Sequence, residues 1–259
     1  MGIMFHTGAA THIGKVRQRN EDSYLIRPEI GIWGVADGMG GHEAGDLASR
    51  IVIEELGSIG VPSSAADLLR ECEERIAAAN TRLKEIGHER GGVIVGTTIA
   101  VLLAFDGHYA CLWAGDSRIY VVRGSKIVQL SQDHTEVEEL LAKGVISREE
   151  AMTWKVPNAV TRAIGVYDQA ELEIMSGPME DGDSFVICSD GLTRHVANEE
   201  ILHCVDSGLC QEACDNLIAL TLNRGATDNV TVIVVRFERE AVLDAASTGR
   251  SHSGLGESG

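Results

Sequence analysis

The chain has 259 residues, of which 44% are hydrophobic and 24% are charged, and its formal net charge is −17 at pH 7. This composition is typical of a globular protein with enough apolar material to form a core. So acidic a chain is not expected to bind nucleic acid or an anionic membrane, because those surfaces are negative and attract positively charged proteins. A phosphorylated substrate would also be repelled unless bound cations reversed the charge locally.

The chain shows no segment that indicates export or membrane insertion. Its N-terminus lacks the basic stretch followed by an apolar stretch that marks a secretory signal. No run approaches the roughly 18 apolar residues of a membrane-spanning helix. We therefore expect a cytoplasmic protein that is free of the membrane, with its six cysteines as reduced thiols.

The first notable segment is KVRQRNED, in which Lys15, Arg17 and Arg19 alternate. Alternation predicts a strand with one basic face. That face could simply be solvated, but the basic residues directly precede Glu21 and Asp22 in an otherwise acidic chain. This placement suggests an anion held beside a cation site, because arginine binds phosphate with two parallel hydrogen bonds.

Short apolar runs that are rich in β-branched residues and bounded by Gly or Asp predict the other strands. These runs cover residues 33–36, 97–105, 109–114, 119–122, 184–188 and 229–237. Several are apolar throughout, which favours strands in the middle of a sandwich.

Apolar residues at helical spacing predict the helices. Two long amphipathic helices span residues 47–59 and 68–86, and a helical hairpin with a break at Gly144 spans residues 133–154. Two further helices precede the last strand, over residues 198–205 and 211–222. Strands in blocks with helices in pairs favour an α+β fold. Residues 241–259 have almost nothing to bury, so we expect a disordered tail.

Four aspartates share one context, because each lies at the end of an apolar strand. They are Asp37, Asp116, Asp190 and Asp228. A lone Asp-Gly is usually a turn residue, but a tight hairpin would lead into a second strand. Asp37-Gly38 and Asp190-Gly191 lead instead into helical patterns.

These strand ends could converge with Glu21-Asp22 at one edge of the sandwich. Two carboxylates at ~4 Å would then repel each other by about 4 kcal/mol at an effective dielectric of about 20. Such a cluster needs cations, and a set of oxygen ligands suits Mg²⁺ or Mn²⁺ better than zinc or copper.

Six short motifs follow one another in a fixed order: RQRNED (17–22), ADGMGGHEAG (36–45), GTT (96–98), GDSR (115–118), SDGL (189–192) and TDNVTVI (227–233). In this order the sequence resembles the metal-dependent protein phosphatases of the type 2C (PPM) family, in their compact bacterial form. The resemblance covers roughly residues 8–238. It implies two antiparallel sheets in a central sandwich flanked by pairs of helices, in one domain over residues 1–240. The helical insert at residues 133–165 would form a flap beside the site.

The resemblance also implies a set of metal ligands. Asp37 would bridge two metal ions, the Gly38 carbonyl would bind the first ion, and Asp190 and Asp228 would complete the second. A third, weaker ion site would use Asp116 together with Asp190. The cofactor would be Mn²⁺ or Mg²⁺, as the oxygen donors suggest.

Other site residues would act around these ions. Glu21 and Asp22 would hold metal-bound waters, and Arg17 would bind the substrate phosphate. A general acid would help the serine or threonine alkoxide to leave, and His42 is the nearest candidate in the Asp37 loop. Two further histidines are candidates with weaker support: His134 and His195.

The implied activity is hydrolysis of phosphoserine and phosphothreonine in proteins, by in-line attack of a water that bridges the two ions. The substrates would be phosphorylated proteins, including targets of a cognate Ser/Thr kinase, and we expect a monomer. Two alternatives remain open at this point. The chain could be a phosphatase of small phosphorylated metabolites, or a catalytically silent binding module with this fold.

Overall fold

A computed structural model of the chain describes residues 3–40, 44–151 and 159–239. Three of the sequence predictions lie outside these residues: His42, positions 152–158 of the flap, and the tail at 241–259. The described strands are β1 (Ile3–His12), β2 (Asp22–Arg27), β3 (Ile32–Met39), β4 (Gly96–Thr97), β5 (Ile99–Phe105), β6 (His108–Ala114), β7 (Arg118–Arg123), β8 (Lys126–Gln129), β9 (Glu173–Pro178), β10 (Ser184–Cys188) and β11 (Val230–Arg239). The described helices are α1 (Ala44–Gly57), α2 (Ala65–Glu89), α3 (Glu136–Ala142), α4 (Arg148–Ala151), α5 (Asp190–Thr193), α6 (Asn198–Asp206) and α7 (Cys210–Asn223).

The strands form two antiparallel sheets that pack face to face. The first sheet has the order β1-β11-β10-β7-β8, and the second has the order β2-β3-β5-β6-β9 with β4 paired to β3. Strands β1 and β11 pair along their full length, from Ile3 opposite Arg239 to His12 opposite Val230. The predicted α+β sandwich is confirmed, and the two ends of the described chain are joined in one sheet.

Helices cover both outer faces of the sandwich. Helices α1 and α2 pack on the second sheet, and α6 and α7 pack on the first. Strand β11 shows why its sequence is apolar throughout. Val232 and Val234 face the helices, whereas Ile233 and Val235 face the opposite sheet. Because neighbouring strand residues point to opposite faces, burial on both sides requires a continuous apolar run.

Four strands were not predicted from the apolar runs: β1, β2, β8 and β9. They are the two outermost strands of each sheet. Edge strands are covered less completely than central ones, so their sequences carry fewer consecutive apolar residues. In β9, for example, Ile174 and Met175 are each 44% exposed.

The segment between β1 and β2 is a loop, so the prediction of a strand carrying Lys15, Arg17 and Arg19 is wrong. The side chain of Asn229 holds this loop closed. Its Nδ2 donates hydrogen bonds of 2.8 Å to the carbonyls of Ile13 and Arg19. Alternation of residue types does not reveal that these backbone groups bond to a side chain instead of to a neighbouring strand.

The predicted helical hairpin is confirmed in its described part, which contains α3 and α4. Thr135 caps α3, since its Oγ1 accepts a hydrogen bond from the backbone N of Glu138 at 3.3 Å. Gly144 lies between the two helices with φ of +66°, a conformation that glycine adopts readily. Across the described ranges, every helix is too short or too polar to cross a membrane.

Candidate active site

A cleft of about 340 Å³ opens at one edge of the sandwich, where several strands end. Seven of the predicted site residues line it: Arg17, Glu21, Asp37, Gly38, Asp116, Asp190 and Asp228. An eighth, Asp22, is buried beside Asp37 on the neighbouring strand. Side chains from distant parts of the sequence therefore converge at this edge, as their strand-end positions predicted.

Asp22 and Asp37 lie directly opposite each other on β2 and β3. Their side chains share one face of the sheet, where two negative charges repel. The Oδ2 of Asp22 accepts hydrogen bonds from the hydroxyls of Ser189 at 2.9 Å and Thr231 at 2.7 Å. Burial, together with the nearby charge of Asp190, raises the pKa of Asp22 to about 7 despite these bonds.

Asp37 lies at the centre of the carboxylate cluster. Burial raises its pKa well above the usual range, and the charges of Asp22, Asp190 and Asp116 raise it further. Its backbone is held in place by Thr98, whose Oγ1 accepts a hydrogen bond from the Asp37 N at 3.2 Å and whose N donates to the Asp37 carbonyl at 2.8 Å. The centre of the cluster is thus rigidly positioned although its charges repel.

Gly38 allows the start of α1 to approach β3 closely. A Cβ on Gly38 would lie 2.1 Å from the carbonyl oxygen of Gly45, and a Cβ on Gly45 would lie 2.7 Å from the Oε1 of Glu21. The Gly38 carbonyl and the Glu21 carboxylate therefore lie side by side at the edge of the cleft. Burial also raises the pKa of Glu21. Both groups offer the hard oxygen donors that the sequence predicted there.

Asp116 and Asp190 form the part of the cluster nearest the flap. Burial, with the charges of Asp190 and Asp133, raises the pKa of Asp116 to about 7, and Arg194 opposes this effect. Burial likewise raises the pKa of Asp190, and Arg194 is the main group that lowers it. The Nη2 of Arg194 donates a hydrogen bond to the Oδ2 of Asp190.

Asp228 precedes β11 and is the most extensively bonded carboxylate of the cleft. Its Oδ2 accepts hydrogen bonds from Arg17 Nη2 at 2.8 Å and Arg194 Nη1 at 3.2 Å. Its Oδ1 accepts a bond of 2.9 Å from the backbone N of Asn229. Gly191 lets α5 approach this loop, since a Cβ there would lie 1.8 Å from the Asn229 carbonyl oxygen.

The donor set of the cleft fits divalent cations. Two buried carboxylate oxygens, Asp22 Oδ1 and Asp190 Oδ1, have no hydrogen-bond partner. A buried polar atom left in this state costs about 1–3 kcal/mol, and the crowded negative charges add to the cost. Cations would relieve both, and carboxylate, carbonyl and water oxygens are the ligands that Mg²⁺ and Mn²⁺ prefer.

His134 and His195 contact the loops beside the cleft. The Nδ1 of His134 accepts a hydrogen bond from the backbone N of Gly115 at 3.2 Å, and burial lowers the pKa of this histidine. The Nε2 of His195 accepts from the backbone N of Thr227 at 3.3 Å. Each histidine therefore supports a loop that carries a site aspartate.

Sequence reasoning missed Arg194 and the hydroxyl pair of Ser189 and Thr231. Arg194 follows Asp190 by four residues, a spacing that brings two side chains together on one helical turn and could have revealed the contact. Ser189 and Thr231 lie inside the SDGL and TDNVTVI motifs, which marked their positions but not their role. Nothing local in the sequence indicates that both bond to Asp22.

A carboxylate cleft that fits divalent cations, with an arginine at its mouth and a two-sheet sandwich beneath it, defines a metal-dependent phosphatase. The chain belongs to the protein phosphatase 2C family, whose sequence profile matches residues 9–230. It is a metal-dependent serine/threonine protein phosphatase, and its substrates are phosphoproteins.

Known relatives cover almost the whole described chain. Protein phosphatase PhpP of Streptococcus pneumoniae is 33% identical in an alignment 238 residues long, which covers 89% of this chain and 96% of that protein. PppA, a key regulatory component of T6SS in Pseudomonas aeruginosa, has a structure with a TM-score of 0.84 and 37% identity, covering 90% of this chain and 97% of that one. The catalytic domain of the serine threonine protein phosphatase PstP, solved in complex with two manganese ions, gives a TM-score of 0.83 and 30% identity, covering 92% and 100%.

Proposed function

We propose that this phosphatase uses its carboxylate cleft to hold two Mn²⁺ or Mg²⁺ ions and so hydrolyses phosphoserine and phosphothreonine in proteins. The observation that carries the proposal is the pair of buried, unpartnered oxygens on Asp22 and Asp190 within a cluster of like charges. The two manganese ions in the related PstP structure support the choice of ion and the number.

The residues divide by their place in the cleft. Asp37 at the centre would bind both ions, and the Gly38 carbonyl would bind the first. Asp190 at the start of α5 and Asp228 in the loop before β11 would bind the second. The support is that these four groups come from the end of β3, the start of α5 and the loop before β11 and still line the same cleft.

Glu21 and Asp22 lie behind the central carboxylate and orient water instead of binding an ion directly. Asp22 is suited to this role because Ser189 and Thr231 fix its Oδ2 from behind. Its Oδ1 then remains available as a hydrogen-bond acceptor. The Glu21 carboxylate lies next to the Gly38 carbonyl, where it can hold a second water.

When bound, the ions supply a water of lowered pKa as the nucleophile and positive charge for the phosphate. Arg17 binds the phosphate oxygens. Its side chain is 50% exposed at the mouth of the cleft, so it can release Asp228 and grip an incoming phosphate with parallel hydrogen bonds. Binding of this kind stabilises charge on the equatorial oxygens during transfer.

A third, weaker ion at Asp116 and Asp190 is part of the proposal. Both aspartates line a neighbouring pocket of about 250 Å³ next to α3. Asp116 is 6% exposed, and the charge of Asp190 raises its pKa. A cation shared by the two carboxylates would remove that repulsion.

His42 remains the proposed proton donor to the leaving alkoxide. A test compares His42→Gln on an aryl phosphate, which has a good leaving group, and on a phosphopeptide, which has a poor one. We expect the variant to lose about 10²-fold in turnover on the phosphopeptide and little on the aryl phosphate. Equal losses on both substrates would remove His42 from this role.

We also propose that residues 1–240 form one catalytic domain with a flap at 133–165, active as a monomer on targets of a cognate Ser/Thr kinase. Full-length pairing of β1 with β11 supports the domain boundary, because the first and last described strands belong to one sheet. The charge of −17 supports a function without nucleic acid or membrane.

The experiment that tests the function compares phosphopeptides and phosphosugars at equal concentration, with Mn²⁺ and with a chelator. We expect metal-dependent release of phosphate from the peptides in preference to the sugars. A clear preference for the sugars would instead favour the metabolite phosphatase. Activity that survives chelation would contradict the metal centre, and no activity on either substrate would favour the silent binding module.

A further inference from the structure

Arg194 occupies a central position that the proposed reaction does not use. It directly follows α5, and its guanidinium bridges two of the proposed ligands of the second ion. The Nη2 donates to Asp190 Oδ2, and the Nη1 donates to Asp228 Oδ2 at 3.2 Å. Arg17, by comparison, donates to Asp228.

Arg194 also lies at the junction of the two cavities of the site. It lines both the main cleft and the neighbouring pocket that contains Asp116. Its guanidinium bonds Asp190 and Asp228 directly and lines the same pocket as Asp116. One guanidinium therefore offsets part of the negative charge at three of the five clustered aspartates.

Asp190 and Asp228 each direct one carboxylate oxygen at this guanidinium. Within residues 3–40, 44–151 and 159–239, no three His, Cys, Asp or Glu side chains are arranged to hold an ion as they stand. An oxygen whose lone pair faces a guanidinium cannot present it to a cation at the same time. An ion that binds the Oδ2 atoms of Asp190 and Asp228 must therefore displace Arg194 from them.

We propose that Arg194 is a built-in counter-cation that competes with divalent ions for Asp190 and Asp228. This inference rests on the proposed two-ion centre. Arg194 stabilises the metal-free cluster and weakens the apparent affinity for ions. Its side chain is 34% exposed, so the guanidinium can turn toward solvent when an ion takes its place.

The test is Arg194→Gln, which removes the charge and keeps most of the side-chain length. Mn²⁺ binding is measured by calorimetric titration, and unfolding is measured thermally in chelator and in Mn²⁺. We expect Mn²⁺ to bind about tenfold more tightly, because one competing charge is gone. We also expect a lower melting temperature in chelator and a larger gain on adding Mn²⁺.

The matched control is Arg70→Gln on the surface of α2. Arg70 also bonds neighbouring carboxylates, Asp67 at 2.6 Å, Glu74 at 2.8 Å and Glu71 at 3.3 Å, but it lies away from the cleft. The control makes the same change in net charge, so we expect Mn²⁺ affinity within about twofold of the parent protein, because exposed charges are largely screened.

The sign of the change separates this role from a purely structural one. A structural arginine would leave the loops displaced when removed, so its loss would weaken Mn²⁺ binding. Unchanged or weaker binding by Arg194→Gln therefore overturns the proposal. If this variant does not fold in chelator, Arg194→Lys carries the test. A lysine keeps the charge but offers one nitrogen in place of the two that contact Asp190 and Asp228, so it holds them less firmly. Tighter binding than the parent supports the proposal, and equal or weaker binding overturns it.

Failure of the underlying two-ion centre would look different. In that case the parent protein and Asp228→Asn would bind Mn²⁺ equally poorly. If the parent binds Mn²⁺ and Asp228→Asn does not, while Arg194→Gln matches the parent, the ion centre stands and only the role of Arg194 fails.

Discussion

Strand β10 is flanked by one aspartate at each end, and the two are surrounded in opposite ways. Asp183 directly precedes the strand, and Asp190 follows it; both are buried. Asp183 is fully bonded. Its Oδ1 accepts from Arg123 Nε at 2.8 Å, and its Oδ2 accepts from Arg123 Nη2 and from the backbone N of Glu180, each at 2.7 Å. Asp190 shares its Oδ2 with Arg194 and leaves its Oδ1 without a partner.

The difference shows that the buried charge at the Asp183 end of β10 serves stability, whereas the buried charge at the Asp190 end serves function. A buried carboxylate with all its bonds made contributes to stability, whereas an incomplete one costs free energy. At the Asp190 end, several such carboxylates are placed together and raise one another's pKa. Strongly perturbed acids gathered in a cleft are typical of an active site. Substitutions at the Asp190 end should therefore lower turnover and spare stability, and substitutions at the Asp183 end should do the reverse.

The largest effect is expected for Asp37→Asn at the cleft end. The variant should lose about a thousandfold or more in metal-dependent turnover, because an ion centre contributes several kcal/mol to the transition state. Its free energy of unfolding in chelator should stay level or rise, since one member of a repelling cluster is removed. The turnover is measured on an aryl phosphate with Mn²⁺, and the free energy of unfolding is measured with urea in chelator. A clear loss of stability in chelator would contradict our view of the cluster.

The opposite pattern is expected for Asp183→Asn. Removing the charge should lower the free energy of unfolding by about 2 kcal/mol, because charge-assisted hydrogen bonds to Arg123 are lost. Turnover per folded molecule should remain that of the parent protein, since Asp183 lies at the far end of β10. Urea unfolding and active-site-normalised rates provide the check. If the variant keeps its stability and loses turnover, Asp183 serves function and not stability, and our view of the two ends of β10 is wrong.

An intermediate effect is expected for Asp116→Ala, which tests how far the functional end extends. Turnover should fall about tenfold, while the two central ions remain bound. Mn²⁺ stoichiometry by calorimetry and turnover at saturating Mn²⁺ measure this. Loss of both central ions would mean that Asp116 belongs to the main centre and not to a weaker third site.

The same contrast explains what the sequence could reveal about the fold. Central strands such as β10 and β11 are buried on both faces, so their runs of apolar residues predicted them directly. The four edge strands pack with less cover, and their mixed sequences matched no simple pattern. The alternating basic residues around Arg17 predict a strand, but they do not show that Asn229, 210 residues from Arg19, will bond to the backbone and form a loop.

The site could be predicted only as far as its residues share a local context. Aspartates at strand ends, followed by helical patterns instead of second strands, identified the carboxylates. The resemblance to a known family then divided them into roles. The contacts that distinguish Asp183 from Asp190 depend on Arg123 and Arg194, and these reach their partners only after the chain has folded.

The smallest effect is expected for Glu200→Gln, an exposed carboxylate that is fully paired. Hydrogen bonds from Arg224 and from the backbone N of Ala197 lower the pKa of Glu200 to about 2, below the value of about 4.3 for a free glutamate. The folded state therefore favours the charged form. The stabilisation is present above about pH 4.3 and is lost as the pH falls toward about 2.

Because this pair is exposed, its contribution should be smaller than that of Asp183. The melting temperature of Glu200→Gln should lie slightly below that of the parent at pH 7, and the gap should narrow as the pH falls from about 4.3 toward about 2. Arg224→Gln should show the same dependence, because it removes the other half of the pair. A gap that stays constant with pH would mean that the ionised carboxylate is not its source. Glu200 could then no longer serve as the exposed, fully bonded carboxylate with which the buried Asp183 and the incompletely bonded Asp190 are compared.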